Sequence, residues 1–163
     1  MALHVLVRYI DPSLPPINKI EKGDWIDLRA SRIVVNGYAV DWTVPEQGED
    51  YIEYRQGDEL RIYLGFALQM PEGYEAHVLP RGSTFKNFGL IQTNSKGIVD
   101  NSFRGNDDQW FVPMAAFRDG RIERYDRCCQ FRFVKKMEEV EFEPVEFFED
   151  AKNRGSLGST GVK

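Results

Sequence analysis

Two carboxylates in this chain stand where strand-like runs give way to turns. Asp27 lies in GDWIDLRAS, Gly23 to Ser31, and Asp100 lies in GIVDNSFRG, Gly97 to Gly105. Isolated carboxylates suit Mg²⁺-associated water or general-base work. Two other segments have the composition of an anion grip. Pro80 to Thr84 (PRGST) sets an Arg before a Gly and hydroxyls, so a bent backbone can aim N–H groups at an anion. Arg154 to Gly161 (RGSLGSTG) repeats that composition, and Arg154 suits bidentate phosphate binding. Taken singly, Asp27 reads as a turn carboxylate, RGS as a common tripeptide and the Gly/Ser end as a flexible tail. Taken together they point to a phosphate chain.

The stretch that must position them runs from Arg81 to Gly105. It is polar and punctuated by Gly82, Gly89, Gly97 and Gly105. Ile98 and Val99 run straight into Asp100, and Phe103 follows, which makes a short strand, a tight turn and an aromatic wall. Strands are expected over His4 to Ile10, Arg32 to Tyr38, Glu59 to Leu68, the run after Pro71, and Tyr125 to Val134. Asp119-Gly120 signals a hairpin. Pro113 suggests an edge or a bulge. Residues 39–58 read as an inserted hairpin or loop, solvated apart from a small cluster. Lys135 to Asp150 carries Phe142, Val145, Phe147 and Phe148 as anchors and fits a helix weakly. Many short strands with turns between them argue an all-β sandwich or barrel.

At 163 residues one domain is expected, with a core of its own. The net charge of -5 argues against a sequence-independent grip on nucleic acid. No apolar run approaches the roughly 20 residues of a membrane span, and the N-terminus does not read as a signal peptide. Cys128 and Cys129 read as reduced thiols of a cytoplasmic protein, one pointing each way from a strand. His77 reads as a hydrogen-bonded structural histidine.

The ordered set GDWIDLRAS, PRGSTFKNFG, GIVDNSFRG, YDRCCQ and RGSLGSTG resembles the five motifs of the trimeric dUTPase family, from about residue 23 to the C-terminus. The resemblance implies a jelly-roll β protein that forms homotrimers with active sites at subunit interfaces. It implies hydrolysis of dUTP to dUMP and pyrophosphate with Mg²⁺, by water attack on the α-phosphorus. Asp100 would orient and deprotonate that water. Asp27 would hold the hydration shell of the metal. Arg81, Gly82, Ser83, Gln130 and Arg154 would hold the phosphates, with Gly155, Ser156, Ser159 and Thr160 closing from residues 152–163. Asn94 and the turn from Gly97 through Ile98 and Val99 would read uracil, and Phe103 would pack on the deoxyribose.

Two departures stand out. Many relatives read Arg-Ser-Gly where this chain has Arg81-Gly82-Ser83, which displaces a hydroxyl by one residue. Leu157 stands where many carry a Phe over the uracil, so Trp110 and Phe111 become candidates for the base lid, with packing of the WFV run into a buried strand as the other reading. Two other readings share the fold. A dCTP deaminase would want a Glu near the third motif, and GIVDNSFRG has none. A nucleotide-gated regulatory protein would bind dUTP without releasing pyrophosphate, with residues 39–58 as a docking surface.

Overall fold

The computed structural model describes residues 2–40, 50–155 and 161. In chain order the strands are β1 (Leu6–Tyr9), β2 (Ile26–Arg29), β3 (Arg32–Val35), β4 (Tyr38–Val40), β5 (Tyr51–Tyr54), β6 (Glu59–Tyr63), β7 (Phe66–Gln69) and β8 (Tyr74–Leu79). A short helix α1 (Thr84–Phe88) follows, then β9 (Leu90–Gln92), β10 (Gly97–Val99), β11 (Phe111–Ala116), β12 (Gly120–Glu123) and β13 (Arg127–Lys135). A four-stranded sheet has the order β10-β8-β13-β2 and a five-stranded sheet the order β4-β3-β6-β11-β9. Two-stranded ribbons, β1-β7 and β12-β5, flank them, and all the pairings are antiparallel. This is the jelly-roll-like sandwich expected. No helix among the described residues is long and apolar enough to cross a membrane.

Period-two alternation decides which side chains go inside. Leu60 and Ile62 on β6, Val112 and Met114 on β11, and Ala76 and Val78 on β8 are buried while their neighbours are not. They meet Leu28, Phe66, Trp110 and Phe131 in one core. Burying a side chain of this size contributes about 1.5–3 kcal/mol, so the sandwich rests on this layer.

Several segments differ from the expectation, for local reasons. The run Arg32 to Tyr38 is two strands, because Asn36-Gly37 turns the chain with both φ positive and pairs Val35 with Tyr38. The run Glu59 to Leu68 is likewise broken after Tyr63. Gly65 has φ +83, and a Cβ there would stand 2.9 Å from Ser31 Cβ, so only glycine lets the chain turn between β6 and β7. Within 39–58, β5 is part of the body: Ile52 and Tyr54 enter the main core, and Tyr54 Oη donates to Phe88 O at 2.6 Å. Asp119-Gly120 does turn the chain, but β12 pairs with β5 rather than back onto β11.

Pro113 lies in β11 between two neighbours rather than on an edge. Its carbonyl faces β9, accepting from Thr93 N at 3.1 Å. The N–H that proline lacks would point the same way, just past the end of the β9 pairing, where the loss is small. Lys135 to Asp150 forms neither helix nor strand beyond Lys135. Its anchors Phe142, Val145, Phe147 and Phe148 are all exposed.

Candidate active site

The residues expected to hold the phosphates gather where β8 ends. Pro80 closes that strand and Arg81 turns away from it. Arg81 N donates to Thr84 Oγ1 at 2.8 Å, Thr84 N donates to Arg81 O at 3.0 Å, and Thr84 Oγ1 donates to Cys128 O at 3.2 Å. This buried hydroxyl pins the turn to β13. The Arg81 guanidinium then lies against β2, with Nε 3.0 Å from Asp27 Oδ1. Arg127 Nη1 is 3.5 Å from the other oxygen, Asp27 Oδ2. Gln130, opposite both Asp27 and Leu79, donates to Pro80 O at 3.1 Å. Asp27, Arg81 and Gln130 are therefore one cluster. Beside it Gly82 is exposed, with open space where a Cβ would be, and the Ser83 hydroxyl makes no cap bond to α1.

The residues expected to read the base gather along β10, the edge strand next to β8. Gly97 pairs with Val78, and a Cβ on it would meet Val78 Cβ at 3.2 Å and Asn94 Nδ2 at 3.5 Å. Glycine here leaves the Asn94 amide free to lie over the strand. Ile98 is exposed and Val99 half-buried. Asp100 follows in a tight turn: Ser102 N donates to Asp100 Oδ1 at 2.8 Å, and Ser102 Oγ donates to the same oxygen. These two bonds hold the carboxyl below its ordinary range, so it is ionised at neutral pH. Oδ2 makes no hydrogen bond among the described residues. Phe103 N donates to Asp100 O at 3.2 Å, and its ring packs against the core.

The turn is braced from behind. Asn101 Nδ2 donates to Pro71 O at 2.9 Å and to Tyr74 O at 3.2 Å, and Arg104 Nη1 donates to Asn101 Oδ1 at 2.5 Å. Asn101, Thr84, Gln92 and Arg127 are site-building residues that motif reading left without roles. For Gln92 a signal was present: it takes the inward position of the Leu90-Ile91-Gln92 alternation.

The two clusters do not meet in one chain. Asp100 follows Val99, which pairs with Ala76, whereas Asp27 is level with Gln130 and Leu79. Three strand spacings across and about four residues along the sheet separate the two carboxylates by roughly 20 Å.

Other expected members sort as follows. Trp110 is 1% exposed, with its ring 5.2 Å from Phe66 and 5.1 Å from Phe131. It is a core residue and has no free face for a base. Phe111 lies outward on the five-stranded sheet, 5.9 Å from Tyr63 with the Arg61 guanidinium 4.8 Å from its centroid. Arg154 and Gly155 are exposed. Ser156, Leu157, Ser159 and Thr160 lie outside the described residues. His77 is hydrogen-bonded as expected, Nε2 to Glu75 Oε2 at 2.6 Å. The cysteines differ from expectation. Cys128 is the extra residue of a β-bulge, so it and Cys129 both turn inward, fully buried, with Sγ atoms 4.0 Å apart.

Comparison with known proteins identifies the fold and the family. A family model described as dUTPase matches residues 48–161. The chain is 44% identical over 162 residues to the SPbeta prophage-derived deoxyuridine 5'-triphosphate nucleotidohydrolase of Bacillus subtilis, covering 99% of this chain and 100% of that protein. It is 30% identical over 161 residues to the deoxyuridine 5'-triphosphate nucleotidohydrolase of Streptomyces avermitilis, covering 98% and 81%. Among solved structures, a mutant of the Staphylococcus bacteriophage 80alpha dUTPase with dUpNHpp superposes with a TM-score of 0.71 at 17% identity, over 98% of this chain and 99% of that one. A mutant dUTPase from phage phi11 of S. aureus, described with a structural Mg(II) ion, gives 0.66 at 14% identity, over 90% and 99%. The sandwich, the motif order and the matched family model together make this chain a member of the dUTPase family.

Proposed function

We infer that the protein hydrolyses dUTP to dUMP and pyrophosphate, as a homotrimer whose sites take residues from more than one chain. The observation that carries this is the pair of half-sites: an ionised carboxylate with one free oxygen beside an open strand, and a guanidinium–carboxylate–amide cluster roughly 20 Å away. A triphosphate needs both, so a second copy has to supply one of them. The exposed apolar side chains of the arm after Lys135 also call for a covering surface, which another copy would offer.

In this reading Asp100 Oδ2 accepts a hydrogen bond from water. Ser102 holds Oδ1, which fixes the direction of the free lone pairs. The water oxygen attacks the α-phosphorus, its proton passes to Asp100, and the bond to the bridging oxygen breaks, so pyrophosphate leaves with the electron pair. Phosphoryl transfer depends on positioning and charge neutralisation more than on covalent help. Arg81, Gln130 and Arg154 supply that grip, with the Ser83 hydroxyl and the open backbone at Gly82 beside them. Ser156, Ser159 and Thr160 belong to the same grip.

Asp27 fits a hydrated Mg²⁺ ion. Among the described residues no three acids, histidines or cysteines converge to hold a metal directly. A single hard-oxygen donor beside a phosphate grip matches an ion carried mainly by phosphates and water. When bound, the ion neutralises charge on the triphosphate. Asn94 and the backbone of Gly97 to Val99 read the base, and Phe103 walls the deoxyribose.

The experiment is pyrophosphate release from dUTP with Mg²⁺, run beside ammonia release from dCTP. Release from dUTP alone supports the reading. Ammonia would favour a deaminase, and dUTP binding without release would favour a nucleotide-gated regulator.

A further inference from the structure

Gln92 closes β9 at an inward position and is only 4% exposed. Its amide reaches from the five-stranded sheet to the four-stranded one. Nε2 donates to Val78 O at 3.0 Å and to Asn94 Oδ1 at 2.9 Å. Oε1 is buried without a partner among the described residues. An orphaned buried acceptor is costly, and an apolar residue would avoid that cost. What the amide offers in return is the placement of its two N–H groups.

Val78 O can only accept. It fixes which end of the Gln92 amide faces it, since turning that amide over would set Oε1 against a carbonyl. The second N–H of the same nitrogen meets Asn94, and only Asn94 Oδ1 can accept it. Asn94 Nδ2 is the end left over, and it is the atom that lies beside Gly97. An exposed asparagine otherwise presents donor and acceptor with equal ease. Here its polarity is set from the interior.

We propose that Gln92 is a positioning residue for pyrimidine selection. It locks the Asn94 amide so that an N–H, not a carbonyl, faces the base. That donor matches the C4 carbonyl of uracil and opposes the C4 amino group of cytosine. The inference rests on the reading above that Asn94 faces the base.

The test compares kcat/KM for pyrophosphate release from dUTP and from dCTP in the wild-type protein, Gln92→Met and Asn94→Ala. The dUTP-to-dCTP ratio is expected to fall by about tenfold or more in Gln92→Met, because an enforced donor becomes free to turn. A parallel loss on both substrates with an unchanged ratio would mean that Gln92 only supports the fold, and would overturn the proposal. An unchanged ratio in Asn94→Ala would instead remove the base-reading role of Asn94. Should Gln92→Met not fold, proton exchange in the wild-type protein decides. Side-chain amide protons locked on Val78 and Asn94 exchange slowly, and fast exchange of both overturns the proposal.

Discussion

Arg81 Nε lies 3.0 Å from Asp27 Oδ1, so the guanidinium is held against β2 by a residue of its own chain. Both side chains are partly exposed, and such a pair adds little to stability, about 0–1 kcal/mol. Its effect belongs to preorganisation. Asp27→Asn is expected to keep the melting temperature nearly unchanged while raising KM for dUTP and the Mg²⁺ concentration needed for half-maximal rate. A Mg²⁺ titration of kcat/KM checks this, and an unshifted midpoint would remove Asp27 from the metal's surroundings.

Asp100→Asn keeps the shape of the turn and removes the proton acceptor. kcat should fall by about 10²–10⁴-fold, the usual range for a general base. Binding of a non-hydrolysable dUTP analogue should change little, as calorimetry would show.

The acid side of the rate profile follows from Ser102. Its two hydrogen bonds favour the charged form of Asp100 and hold the carboxyl low. In the wild-type protein the Asp100-dependent loss of kcat/KM should therefore have its midpoint below the ordinary aspartate value of about 3.9. In Ser102→Ala one of those bonds is gone, so the acid limb should move to higher pH. A limb that stays in place would show that Asp100 does not control it.

Asp11 ties the N-terminal segment to the body. Ser31 Oγ donates to Asp11 Oδ2 at 2.7 Å, Tyr125 Oη donates to the same oxygen at 2.9 Å, and Arg124 Nη2 is 3.5 Å from it. Burial alone would raise this carboxyl, but these partners and Ser13 N outweigh it and hold it low. A depressed folded-state value stabilises above the unfolded carboxylate value of about 3.9 and is lost as pH falls through the folded one. Asp11→Asn should cost about 1–3 kcal/mol at pH 7, and the gap to wild type should narrow below about pH 4. Melting curves at pH 7 and pH 3 measure both.

Chain mixing tests the division between the two half-sites. At limiting dUTP and Mg²⁺, where a raised KM and a raised metal requirement both suppress the rate, Asp27→Asn and Asp100→Asn chains should each be nearly inactive alone. Unfolded together and refolded at equal amounts, they should recover about a quarter of wild-type activity, since random cyclic trimers restore one site in each mixed assembly. No recovery would place both carboxylates of a site on one chain.

The sandwich was legible in the sequence because alternation is a local signal: β6, β8, β11 and β13 carry it plainly. The breaks at Asn36-Gly37 and Gly65 were harder to see, because apolar residues flank them on both sides. The partner of β12 was not legible, since Asp119-Gly120 specifies a turn and not which sheet the chain joins next. The chemistry-bearing residues were readable as motifs, but their supports were not. Thr84 and Asn101 act through backbone carbonyls far along the chain, and no pattern of neighbours announces such bonds. The sequence leaves Trp110 open between lid and core, because an aromatic after a turn looks the same whether it caps a ligand or fills the core.

The bulge that turns Cys128 and Cys129 inward makes them reporters of motion. Both thiols are fully shielded, and burial with a close neighbouring thiol pushes Cys129 well above its ordinary range, so neither reacts in the closed state. Alkylation can then proceed only when β13 peels from β2 or β8, which makes its rate a clock for opening the strand that bears Gln130 and anchors the Arg81 turn. Saturating nucleotide should slow that clock, with no added fluorophore or engineered label.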